Sequence, residues 1–139
     1  MNELKLITEF YRRFNATEVD KNHMHKGKPL MGPFNPKVIL IDGQRVGCID
    51  LRKENGTIHG FVELAYIYMY DKQKGYGEII LKEICRLADL YNLEIILDAV
   101  PIEGFGEPIP IGKLHSFYTR KGFKYRVPNS NMMVRAPNA

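Results

Sequence analysis

The chain contains no tryptophan and only two cysteines among its 139 residues. Cys48 falls in a predicted strand and Cys85 in a predicted helix, without a Cys-x-x-Cys pairing, which excludes a disulfide framework and a cysteine zinc site. Both read as small core residues. No apolar run exceeds about ten residues, half of the ~20 that a membrane helix requires. The opening Met1-Asn-Glu-Leu-Lys-Leu lacks the basic-then-apolar order of a secretory signal, so a cytoplasmic location and no membrane partner are expected. There is no repeat and no low-complexity tract. His23-Met-His25 brings two imidazoles close together but has no clear third ligand, so no metal is expected. The net charge of +4 is mild and its basic residues are scattered, which disfavours a nucleic-acid surface. What remains is an ordinary folding composition, 45% hydrophobic and 26% charged, long enough for a single domain over residues 1–139.

The chain is organised around residues 60–91. Phe61 to Tyr70 is dense in aromatic and β-branched residues and reads as a strand. Glu78 to Tyr91 places Ile80, Ile84, Leu87 and Tyr91 along one helical face. Between them lies a short basic turn, Asp71-Lys-Gln-Lys-Gly-Tyr-Gly77. The first N–H groups of a helix have no acceptor within it, and their dipoles point outward. Gly75 and Gly77 lack a Cβ, so the main chain there can approach an anion, with Lys72 and Lys74 adding charge. The stretch Lys72, Gln73, Lys74, Gly75, Tyr76, Gly77 and Glu78 is therefore a candidate diphosphate cradle.

Three phosphate-binding turns have this strand-to-helix form. A nucleoside triphosphatase loop needs Lys-Ser or Lys-Thr after its last glycine, where Glu78-Ile79 stand, and is excluded. A dinucleotide turn needs a small third residue where Ile80 stands, although Asp98 is suitably placed for a ribose contact. Three antiparallel strands before the turn also count against it, because a dinucleotide turn follows the first strand of a parallel unit. The third form binds acetyl-coenzyme A.

Lys72-Gln-Lys-Gly75-Tyr-Gly77 resembles the motif of the Gcn5-related N-acetyltransferases: Gln or Arg, two residues, Gly, one residue, Gly or Ala. Lys72 stands in for the usual Gln or Arg, and Gln73 comes one position late. A second block, Phe117-Tyr-Thr-Arg-Lys-Gly-Phe123, resembles the family's late helix-to-strand segment. The resemblance spans Lys37 to Arg135. It implies an α/β (α+β) fold with a mixed, mostly antiparallel sheet flanked by helices and containing a splayed parallel strand pair. It also implies acetyl-coenzyme A as cosubstrate, no metal, and direct transfer in a ternary complex to a primary amine on a small molecule or a protein. A homodimer stays open. By the same resemblance the main chain of Ile67, Tyr68 and Met69 would hold the pantetheine arm, and Tyr118 would be the general acid. Glu63 is the candidate general base, since regular alternation puts it on the face of Ala65 and Ile67. The family's helix-start Asn falls at Ile111, its strand Glu at Phe61, and its first strand is not seen. These departures support a second reading, an inactive module of the same fold that binds a protein or a nucleic acid.

The remaining elements follow from pattern. Leu4, Ile7, Tyr11 and Phe14 predict an amphipathic helix over Asn2 to Ala16, capped by Asn2. Thr17 to Pro36 reads as an irregular segment, which the resemblance implies lines the acceptor side. Lys37 to Asp42 and Arg45 to Arg52 form a hairpin about Gly43-Gln44, and Glu54-Asn-Gly56 turns into the central strand. Leu93 to Val100 is a strand parallel to the central one, because a helix joins them. Pro101 to Gly112 is a long loop whose Glu103 and Glu107 are read as solvated. A helix over Lys113 to Lys121, with His115 in a structural role, precedes strands at Gly122 to Arg126 and Met132 to Arg135.

Overall fold

A computed structural model describes residues 2–18, 24–25, 28–29, 36–53, 60–71, 74–99, 110–128 and 130–138. Helix α1 (Asn2–Arg13) is the first described element, and no strand precedes it among the described residues. Its buried stripe is Leu6, Phe10 and the following Phe14, with Ile7 and Tyr11 packed at its margin. Leu4, expected in that stripe, is exposed. A full turn past Leu6 comes Phe10, and the register of that pair sets which face is apolar.

The segment expected to be irregular holds three short strands, β1 (Thr17–Glu18), β2 (Met24–His25) and β3 (Lys28–Pro29). Strands β2 and β3 form a separate two-stranded ribbon. They are followed by β4 (Lys37–Ile41), β5 (Gln44–Arg52) and β6 (Phe61–Met69). The β4–β5 turn sits at Asp42 and Gly43, one residue earlier than expected, both with positive φ (51° and 79°). Two successive left-handed residues match the strand twist of a two-residue hairpin, and Asp tolerates that conformation better than most residues. The expected turn at residues 54–56 lies outside the described residues.

Helix α2 (Tyr76–Tyr91) buries Ile80, Leu81, Ile84, Cys85, Leu87 and Ala88. Asn92, left-handed at φ 57°, ends it, and the Leu93 N–H returns to the Ala88 carbonyl at 2.8 Å. Strand β7 (Glu94–Asp98), helix α3 (Ile111–Arg120) and strands β8 (Lys124–Tyr125) and β9 (Met132–Arg135) complete the element order. The seven-stranded sheet runs β1-β4-β5-β6-β7-β9-β8, and β6 with β7 is its one parallel pair. No described helix is long and apolar enough to cross a membrane.

The helices are fastened to the sheet by polar groups as well as by the core. Asn2 is the first helical residue and donates its amide to the Tyr91 carbonyl, joining α1 to the end of α2 instead of preceding the helix as a cap. The buried Glu3 carboxylate accepts the Gly60 N–H at the entry to β6. Arg135 of β9 is buried and pairs with Asp89 of α2 through both terminal nitrogens, 2.8 and 3.1 Å, while its Nε donates to the Lys121 carbonyl. One guanidinium therefore sets α2 and the end of α3 on the same side of β9.

Tyr11 fills a gap in the sheet. Among the described residues, strand β4 pairs with β5 only as far as Lys37 opposite Ile49. Beyond that point the Tyr11 hydroxyl accepts the Leu51 N–H at 2.9 Å and donates to the Ile49 carbonyl at 3.1 Å, replacing a peptide unit of the missing rung. Burial pushes this hydroxyl up to about 12. Tyr11→Phe should cost about 1–2 kcal/mol in urea unfolding, because two buried main-chain groups lose a partner while the ring stays. An unchanged midpoint would show that the rung needs no filling.

Candidate functional site

The parallel ladder between β6 and β7 has three rungs, Phe61 with Glu94, Val62 with Ile95 and Glu63 with Ile96. Strand β6 continues to Met69, paired with β5 on its other edge. Past Glu63, no described strand pairs with β6 on the β7 side, so the two strands part.

Which peptide groups face this gap follows from the antiparallel ladder. The Tyr70 N–H donates to the Val46 carbonyl at 3.0 Å. Peptide groups in such a ladder alternate between the two edges, so Tyr68 also turns toward β5, while Ile67 and Met69 turn theirs toward the gap. Of Ile67, Tyr68 and Met69, the three residues expected to contact the arm through their main chain, only Ile67 and Met69 turn their peptide groups toward the gap.

At the wide end of the gap, Gly75 precedes α2 in the left-handed region, φ 74° and ψ 12°, with no side-chain cap hydrogen bond. The helix starts at Tyr76, two residues before the expected Glu78, so Gly77 belongs to its first turn and Gly75 alone makes the bend. Among the described residues, the Ile79 N–H is the first of the helix to find an acceptor, the Gly75 carbonyl. The N–H groups of Tyr76, Gly77 and Glu78 are the helix's outward donors. A Cβ built on Gly75 meets nothing within 4 Å, and one on Gly77 touches only Met69 Cγ at 3.6 Å. The bend is open on this side, and past Glu63 the β7-side edge of β6 has no partner strand among the described residues. Lys74 is exposed beside it, and Lys72 and Gln73 lie outside the described residues.

Glu63 is not where regular alternation would place it. A β-bulge interrupts the β5–β6 register, with Leu51 opposite Leu64 and Asp50 opposite Tyr66. Val62, Leu64, Ile67 and Met69 share the helix-covered core, whereas Tyr66, Tyr68 and Tyr70 pack with Val38, Leu40 and Cys48 in a second cluster. The extra residue at Ala65 switches the parity, so Glu63 lies on the tyrosine face, opposite Ile67. There its cross-strand neighbour is Arg52, which pairs with the buried Asp50 at 2.7 Å. Both carboxylates hold the guanidinium above its usual range, Asp50 the more strongly through its hydrogen bond. This cross-strand group was not visible in the sequence.

Tyr118 is buried on α3, its ring edge-on to Phe117 and Phe123 at centroid distances of 5.4 Å each. Burial pushes its hydroxyl above the ordinary tyrosine range. Ile111, at the family's Asn position, is an exposed residue of the first turn of α3. His115 bridges Tyr125 and the end of β7: its Nε2 lies 2.8 Å from the Ala99 carbonyl and its Nδ1 2.7 Å from the Tyr125 hydroxyl. A carbonyl only accepts, which places a proton on Nε2, and in the neutral ring Tyr125 is then the donor to Nδ1. Both cysteines are buried, Cys48 with its Sγ 3.2 Å from the Tyr70 hydroxyl. Glu103, Glu107 and His23 lie outside the described residues. Among the described residues no group of three or more His, Cys, Asp or Glu side chains is placed to hold a metal ion.

No protein-family model matches the sequence. A search of curated proteins returns no match either. Solved structures do match. The anti-CRISPR protein AcrVA5 superposes with a TM-score of 0.53 at 22% identity, over 66% of this chain and 90% of that one. Ard1 from Thermoplasma volcanium gives 0.51 at 15% identity over 97% and 80%, and PH1933 from Pyrococcus horikoshii OT3 gives 0.51 at 20% over 75% and 66%. At these identities the likeness carries the fold alone. With the mostly antiparallel sheet and its parted parallel pair, the fold is that of the Gcn5-related N-acetyltransferases.

Proposed function

We propose that the chain is an acetyl-coenzyme A-dependent N-acetyltransferase acting on a primary amine. The observation that carries this reading is the parting of β6 and β7 beside an uncapped helix start, one main-chain surface suited to an amide arm and the other to its diphosphate. The N–H and C=O groups of Ile67 and Met69 would bind the arm much as an added strand is bound. The amides of Tyr76, Gly77 and Glu78, with Lys72, Gln73, Lys74 and Gly75, would take the diphosphate. The cosubstrate supplies an activated acetyl thioester.

The chain's own task is proton traffic. An alkyl amine keeps its proton until about pH 10 and is no nucleophile before losing it. Glu63 stands at the last rung before the gap and projects from the tyrosine face, where it would take that proton from an amine approaching over that face. Tyr118, held protonated by burial on the helix side, would give a proton to the leaving thiolate. Acid and base would then serve the gap from opposite faces of the sheet. A main-chain N–H near Ile67 would stabilise the developing oxyanion.

Isothermal titration with acetyl-coenzyme A tests this, with a Kd in the micromolar range expected; no binding at about 500 μM would remove the reading. Gly75→Ala separates fold from ligand. The left-handed residue should cost about 1 kcal/mol of stability, since the new Cβ meets no protein atom, whereas affinity should fall about tenfold because it intrudes on the diphosphate. Unchanged affinity would move the diphosphate elsewhere. The bulge that turns Glu63 away from Ile67 favours a second reading, a module of this fold that binds a protein or nucleic acid without catalysis. Nucleic-acid affinity falling steeply with salt, with no thiol released from acetyl-coenzyme A by any amine, would establish it.

A further inference from the structure

Around Glu78 the surface gathers more positive charge than one carboxylate calls for. Lys121, just past α3, forms an ion pair with Glu78. Lys82 follows Glu78 by one turn on the same face of α2, and Arg120 adjoins Lys121. All three cations hold the Glu78 carboxylate below its usual range, the Lys121 hydrogen bond most strongly. Cations beside the first turns of a helix are opposed by its dipole, and Glu78 offsets only part of their repulsion. Three cations converging from two helices on one acid leave a site short of negative charge.

We infer that Lys82, Arg120 and Lys121 form a subsite for a phosphomonoester, the group on the ribose of coenzyme A that its 3′-dephospho form lacks. This rests on the acetyl-coenzyme A reading, and extends it to part of the nucleotide that the strand gap and the helix amides do not reach. Lys82 stands roughly 9 Å further along the axis of α2 than Tyr76, so the subsite is separate from the diphosphate cradle. The dianion would displace Glu78 from Lys121, taking its place among the three cations. Glu78 thus contributes its main-chain N–H to one phosphate while its side chain competes with another.

The test is isothermal titration of the full chain with coenzyme A and with 3′-dephospho-coenzyme A. Coenzyme A should bind about tenfold more tightly, a preference that shrinks as salt rises. Replacing Lys82, Arg120 and Lys121 together by Met should bring the two affinities level by weakening only the phosphorylated form. Glu78→Gln should widen the preference, because the competing carboxylate is gone. Equal affinities in the unsubstituted chain, or a preference that survives the triple replacement, would overturn the subsite while leaving the acetyltransferase reading in place. Failure of both ligands to bind would remove the reading and the subsite together.

Discussion

Tyr118→Phe should lower kcat about a hundredfold while leaving the affinity for acetyl-coenzyme A within about twofold, measured by thiol release and by titration. The substitution is clean. The edge-on contacts with Phe117 and Phe123 belong to the ring, which phenylalanine keeps. Burial raises the hydroxyl, so its removal takes a proton donor from an apolar setting and does not break an ion pair. An acid held above the ordinary tyrosine value also fixes the shape of the pH profile. Activity should climb as the acceptor amine and Glu63 lose their protons, with no falling limb below about pH 10. If kcat and affinity fall together, Tyr118 is part of the packing of α3 and the proton reaches sulfur from elsewhere.

The parts of this site that the sequence disclosed are those written in consecutive residues. Gly75 and Gly77 sit within a few positions of the lysines, and Phe117 to Phe123 carries aromatic pair, helix end and glycine in one block. Even there the division of labour was misread. Two glycines suggested a turn as far as Gly77, but only Gly75 needs the left-handed region, so the helix claims Tyr76 and Gly77. Contacts between distant positions left no local trace. Arg135 and Asp89 are 46 residues apart, and neither residue type announces the other. The Tyr11 hydroxyl acts as a strand residue from within a helix, a role no periodicity encodes.

The bulge at Ala65 is the instructive case. Phe61 to Tyr70 alternates well enough to be recognised as a strand, and a strand prediction survives one extra residue. The assignment of faces does not survive it. One inserted residue exchanges the two sides for everything beyond it, which is why Glu63 shares the face of Tyr66, Tyr68 and Tyr70. The consequence is chemical. On the proposed reading the amine would meet its base on the tyrosine side, and the acid would serve the gap from the helix side.

Gly47→Ala should lower stability by about 3 kcal/mol, or roughly 10 °C in Tm, and weaken acetyl-coenzyme A binding about tenfold as well. A Cβ at Gly47 would lie 2.3 Å from the Tyr68 carbonyl oxygen and 2.4 Å from Met69 Cε. The methionine end can swing aside, but the carbonyl is part of the β5–β6 ladder and yields only if the strands separate. That separation would displace the end of β6, where Met69 and Ile67 turn their peptide groups to the gap. Val46→Ala supplies the comparison. It removes two buried methyl groups next door, at a cost of about 2 kcal/mol, while its carbonyl still receives the Tyr70 N–H. Comparable instability with full affinity in Val46→Ala, set against instability with lost affinity in Gly47→Ala, would tie cosubstrate binding to the position of that strand end. A Gly47→Ala protein as stable as the unsubstituted one would mean that β5 and β6 do not approach so closely there, and the geometry assigned to the arm would fall with it.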